Sequence, residues 1–98
     1  MTFTVRPEAR RDILDAALWY EDQQPDLGRA LVGEIDSALE RIQRGPMRYP
    51  KMYRDVRRTL VHRFPYAAFY ILKSGHVAVI AVLHQRRDFK VLDDRLKG

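Results

Sequence analysis

RFPYAAFYILKSGHVAVIAVL, residues 63–83, is the stretch on which the fold turns. Two almost wholly apolar segments, Tyr66 to Leu72 and Val77 to Leu83, flank Ser74-Gly75. Segments of this length and content read as strands buried on both faces, and Ser-Gly between them supplies hairpin-turn chemistry. Proline cannot sit inside a central strand, so Phe64-Pro65 marks the preceding turn. Upstream, Asp55 to Phe64 carries Val56, Leu60 and Val61 among arginines and reads as another strand. Side chains alternate along a strand, so Arg58, Leu60 and His62 share one face while Arg57, Val61 and Arg63 share the other. Which of these faces is exposed stays open at this level.

Farther upstream the apolar period changes. Gly45-Pro46 closes a helix that carries Leu27, Leu31, Ile35, Leu39 and Ile42 on one side, with Asp26 at its N-cap. Pro25 stops an earlier helix, which begins near Pro7 and Glu8 and runs to about Gln24. Its apolar stripe is Ile13, Leu14, Ala17 and Leu18, and Arg11 can pair with Asp15 one turn on. Helices joined by so short a link form an antiparallel hairpin. Thr2 to Val5 alternates and reads as a first strand that joins the sheet. The tail, Phe89 to Leu96, is compatible with a short helix or an extended segment. The expected architecture is α+β, ordered β-α-α-β-β-β: one domain over residues 1–98, with a helical hairpin packed on a small, mainly antiparallel sheet. The opposite sheet face and the C-terminal edge are then left for function.

Composition narrows the classes. The chain has 98 residues, 46% of them hydrophobic, and no cysteine. A disulfide framework, a thiolate metal site and a cysteine nucleophile are excluded, and a reducing cytosol fits. The three histidines, His62, His76 and His84, have no metal-ligand spacing partners, so no metal and no cofactor is expected. No apolar run reaches the roughly 18 residues of a membrane span, and Met1 to Arg11 lacks a signal-peptide core. A cytoplasmic protein is the expectation. Residues 1–45 hold six basic and nine acidic side chains, a balance of −3, while residues 46–98 hold twelve basic and four acidic, a balance of +8. Such segregation points to an anionic or acidic partner.

Three motifs, in order along the chain, carry a family resemblance. Trp19-Tyr20-Glu21 followed by Pro25 and Leu27-Gly28 resembles the helix-hairpin turn of ParE/RelE toxins. Arg63-Phe64-Pro65-Tyr66 followed by Phe69-Tyr70 resembles their central hairpin. Val82-Leu83-His84 with Arg86-Arg87-Asp88 resembles their closing strand. The resemblance implies the toxin of a type II toxin–antitoxin pair, bound and silenced by a cognate, ParD-like antitoxin in a hetero-oligomer. Its ParE-like branch implies poisoning of DNA gyrase. Its RelE-like branch implies cutting of mRNA on the ribosome.

RNA cleavage needs a base, an acid and cations around the phosphate. Arg57, Arg58, Arg63, Arg86 and Arg87 can supply cations, and His62, His84 or Tyr70 a proton. Nuclease relatives carry a tyrosine near the C-terminus, where this chain has Phe89; that departure favours the ParE-like branch and a non-enzymatic toxin. His84, Arg87 and Arg63 remain the catalytic candidates, and Arg58, Arg63, Arg86 and Arg87 the target-binding set. Arg87 either contacts an anionic target or leaves that role to others while Asp88 pins the tail to a sheet arginine. Trp19, Tyr20, Leu31, Ile35 and Arg63 are the expected antitoxin contacts, in an outward groove between the helices. Asp12, Asp15, Asp22, Asp36 and Glu40 read as a solvated face.

Overall fold

The computed structural model describes residues 1–97. The elements are β1 (Thr2–Val5), α1 (Pro7–Gln23), α2 (Leu27–Arg44), β2 (Lys51–Tyr53), β3 (Val56–Leu60), β4 (Tyr66–Lys73), β5 (His76–His84) and α3 (Lys90–Leu96). The strands form one sheet ordered β1-β5-β4-β3-β2. β1 joins β5 in parallel, and all other neighbours are antiparallel. The α+β architecture is the expected one. Its additions are the short edge strand β2 and the terminal helix α3. His62 and Arg63, expected within the strand read over Asp55 to Phe64, fall in the turn after β3, where Arg63 takes a left-handed φ of 72°.

The helical hairpin covers one sheet face. Leu31, Ile35, Ala38 and Ile42 of α2 are fully buried against Ala68, Tyr70, Val77, Val79 and Val82. Each large aliphatic side chain buried this way contributes about 1.5–3 kcal/mol. Two features close the hairpin. A Cβ on Gly28 would lie 2.4 Å from the carbonyl oxygen of Ala17, so only glycine lets the helices approach this closely. The Glu21 carboxylate accepts the backbone N–H groups of Asp26 and Gly28 at 2.9 and 3.1 Å. Asp26 stands at the N-cap in a left-handed conformation, and its own side chain makes no capping bond. Glu21 does the capping instead, satisfying amides that a helix start leaves orphaned.

The buried side of α1 differs from the stripe read from its sequence. Ala9 and Ala16 are buried and Ile13 half-buried, while Leu14 and Leu18 are exposed. α1 turns small residues toward the sheet, because β5 passes close beneath it, and leaves its leucines outside.

The second sheet face is also covered. α3 lays Leu92 over Val56, Ala67, Phe69, Ile80 and Leu83. That face is therefore not the open functional surface the sequence suggested. A β-bulge in β5 links the two faces. Phe69 pairs with Ala81 and Tyr70 with Val79, so Ile80 is an extra residue. Ile80 and Ala81 both point to the α3 side, and Val79 and Val82 both to the hairpin side. The extra residue reverses the alternation beyond it, so His84 falls on the hairpin side beside α1.

Candidate functional site

The end of β5, the turn that follows it and the flank of α1 enclose a cleft of ≈ 310 Å³, lined by Asp12, Asp15, Trp19, Tyr66, His84 and Arg87 among others. The bulge sets its floor. β1 ends opposite Val79, so beyond it β5 has no strand on that side, and charged side chains take up its unpaired backbone groups. Asp12 accepts the Val82 N–H at 3.0 Å, and Arg95 Nη1 donates to the Ile80 carbonyl at 2.8 Å. Arg95 also forks onto both carboxylate oxygens of Asp12, at 2.8 and 2.9 Å. The pair is largely enclosed, with side chains 19% and 10% exposed for Arg95 and Asp12. The bond to Asp12 holds the Arg95 guanidinium above its ordinary pKa. One fork thus ties α1, β5 and α3 together. Asp12 is no member of a solvated acidic face.

An aromatic chain forms the wall. Trp19 meets Tyr20 edge-on at 4.9 Å, Tyr20 meets Tyr66 at 6.0 Å, and Tyr66 meets His84 at 5.9 Å. Phe64 packs on Tyr20 from behind at 5.1 Å. Tyr20 and Tyr66 are half-buried, but Trp19 is 57% exposed. Burial raises the Tyr66 phenol above its usual pKa, Tyr20 adds to this, and the nearby Arg87 charge works against it. His84 Nδ1 accepts the Arg86 N–H at 3.1 Å, which leaves Nε2 to carry the proton in the neutral ring. The Arg87 N–H closes the turn on the His84 carbonyl at 2.9 Å.

The residues singled out from sequence separate into groups. His84 and Arg87 share the cleft with Trp19. Arg86 is exposed on the same turn, and Arg58 reaches the Gln85 carbonyl at 3.5 Å. Arg63 lies apart from the cleft, facing Glu34 at 3.9 Å and its own neighbour Phe64 at 5.5 Å. Leu31 and Ile35 cannot line an outward groove, because both are fully buried between hairpin and sheet. Tyr70 cannot pass a proton to a ligand. It is fully buried, its hydroxyl donates to the Pro46 carbonyl, and burial pushes it up to about 12.

Arg57 is spent on the Met47 and Tyr49 carbonyls, at 3.3 and 2.6 Å. His62 is exposed and borders a separate groove with Arg41, Tyr49, Arg58 and Leu60. His76, expected in a solvated turn, bonds the Thr2 and Thr4 hydroxyls and ties β1 to β5. Asp88 accepts the Lys90 N–H at 3.0 Å at the start of α3. The tail is pinned by Asp93 instead, through Arg54 at 3.1 Å and the Tyr53 hydroxyl at 2.7 Å. Among the described residues no group of three or more His, Asp or Glu is gathered as a metal site. Among the described residues, no helix is long and apolar enough to cross a membrane.

Sequence reasoning missed Asp12, Tyr66 and Arg95 at this site. The only signal was that Arg95 sits in an otherwise amphipathic tail. Nothing local indicates that it reaches α1, 83 positions away.

Comparison with known proteins follows the same lines. The family model described as the ParE toxin of type II toxin–antitoxin systems, parDE, matches residues 3–89. A comparison with curated proteins returns no match. A solved structure titled "Chromosomal ParDE TA system from P. aeruginosa" superposes with a TM-score of 0.77 at 17% identity, covering 86% of this chain and 95% of that one. At that identity the likeness speaks for the fold, and the family model, which spans nearly the whole sequence, speaks for descent: the chain belongs to the ParE toxin family of type II toxin–antitoxin systems.

Proposed function

We propose that this chain is a growth-inhibiting toxin that poisons DNA gyrase and is silenced by a ParD-like antitoxin. The match of residues 3–89 to the ParE toxin family carries the reading. The geometry supports a protein-binding mode of action. Tyr70, one of the proton carriers named for a nuclease, is sealed in the core. Arg86 and Arg87 stand exposed on a hydrogen-bonded turn, able to meet a polar protein surface. For the antitoxin, Leu14 and Leu18 form an exposed apolar strip one helical turn long. An amphipathic segment can lay its own apolar side there, with Trp19, Tyr20 and Arg63 at the margins. Controlled expression with separate readouts tests the function. Induction of the DNA-damage response before any fall in protein synthesis is the expected result. Translation arrest with cut mRNA and no DNA damage sinks it in favour of a RelE-like, ribosome-dependent nuclease. Co-expression of a cognate ParD-like antitoxin should restore growth.

A further inference from the structure

Both carboxylates that line the α1–β5 cleft are already matched by cations. Asp12 is held by Arg95 at 2.8 Å, and Asp15 by Arg11 at 3.3 Å. Arg87 lines the same cleft and, among the described residues, makes no ion pair. Arg87 is thus the one arginine of the cleft lining outside an ion pair among the described residues, and His84, with Nε2–H as a donor, lines the same cleft. Its walls are aromatic. Trp19 presents an open indole, and Tyr66 and His84 continue the surface inward.

We propose that this cleft binds an unpaired nucleotide, with the phosphate on Arg87 and His84 and the base on Trp19. Three observations favour this ligand. An exposed aromatic ring beside a free arginine is the pairing that single-stranded nucleic acid uses, one to stack and one to neutralise. The volume, ≈ 310 Å³, lies at the small end of ordinary ligand sites, about 300–1,000 Å³, and suits one nucleotide, not a duplex. The α1 residues on the cleft side are Asp12, Asp15, Ala16 and Trp19, whereas the exposed leucines Leu14 and Leu18 face elsewhere. A peptide groove would instead put those aliphatic anchors inside. The inference goes beyond the gyrase reading and does not depend on it.

The chain has one tryptophan, so its fluorescence reports the cleft alone. The purified full chain is titrated with a single-stranded tetranucleotide as DNA and as RNA, with AMP, with a short duplex, with inorganic phosphate and with an acidic peptide. Saturable quenching by the single-stranded probes is expected, and a preference for DNA, RNA or AMP identifies the source of the ligand. Arg87→Ala should weaken binding about tenfold. Trp19→Ala, followed by anisotropy of a labelled oligonucleotide, should weaken it about five- to hundredfold. Both sites are exposed, and circular dichroism confirms that the variants are folded. Absence of saturable quenching overturns the proposal. So does equal binding by duplex, by phosphate alone or by the acidic peptide, or unchanged affinity in Arg87→Ala. A chain that damages DNA in cells yet binds no nucleotide overturns this inference alone. Nucleotide binding without gyrase poisoning overturns only the proposed function.

Discussion

The two faces of the sheet are held by different forces. On the hairpin side, α2 buries Leu31, Ile35 and Ile42 in a continuous aliphatic layer. On the other side, a helix of seven residues brings one fully enclosed leucine, Leu92, and makes up the rest with polar ties. Arg95 forks onto Asp12, Asp93 takes Tyr53 and Arg54, and Arg6 donates to the Arg95 carbonyl at 3.1 Å. Burial grows with area and needs length, which α3 lacks. Directed bonds need only the right neighbours. The cleft lies where these two regimes meet, on a bulge that the polar ties hold in register.

If that contrast is correct, truncating the hairpin side should cost most. Ile35→Ala leaves a cavity in the aliphatic layer, and urea unfolding should record a loss of about 3–4 kcal/mol. A loss below about 1 kcal/mol would mean that the layer is loosely packed and the contrast false.

Asp12→Ala comes next, at about 2–3 kcal/mol, because it strands the partly buried Arg95 and the Val82 N–H. Its signature should also be local. Amide exchange should rise in α3 and at the β5 bulge while α2 stays protected. Uniform acceleration throughout would show that the polar ties serve the whole molecule and not one face.

Alkaline titration separates the faces in another way. Tyr70 ionises near 10 when unfolded and at about 12 in the fold. Between these values the unfolded chain has released a proton that the folded chain keeps, so stability must fall as pH rises through this window. Replacing Tyr70 by Phe should reduce that slope and leave the part owed to Tyr66, whose phenol burial also raises, at the expense of the hydroxyl bond to Pro46. An unaltered slope in the variant would assign the alkaline transition to another group.

Smaller effects are expected at the edge of α3 and on the rim of the cleft. Tyr53→Phe loses the hydroxyl bond to Asp93 and should destabilise by about 1 kcal/mol. Arg87→Ala, at an exposed position, should change stability by less than about 0.5 kcal/mol. It should nevertheless reduce growth inhibition at equal soluble protein, and full toxicity in that variant would remove Arg87 from the functional surface.

The helical hairpin and the central strands were legible because each carries its own period. Leu31, Ile35 and Ile42 repeat at helical spacing, and the apolar runs of β4 and β5 are separated by Lys73-Ser74-Gly75-His76. The same patterns misled where burial depends on a neighbour. Leu14 and Leu18 look like core, but β5 approaches α1 so closely that alanines take the inner positions. Leu31 and Ile35 look available to a partner because the sequence does not say which side of a hairpin the sheet will cover. β2 is three residues long and exists only by pairing with β3, so it has no period to detect.

What the sequence determined by itself was the succession of the principal helices and strands, the fold class, the family resemblance and the candidacy of His84 and Arg87, which are close along the chain. Only the tertiary structure decided that Trp19 is exposed, that Tyr70 is sealed, and that Asp12 and Arg95 meet. The bulge shows why. Alternation in β5 is a local property, but beyond Val79 the strand has lost β1 as a neighbour, and its form there depends on what can satisfy the groups left unpaired. Those partners come from residues 12 and 95, at opposite ends of the chain. Local propensity acts over a few neighbours, whereas hydrogen-bond satisfaction is settled by whatever the fold brings within reach. The face on which His84 lies was therefore a consequence of assembly.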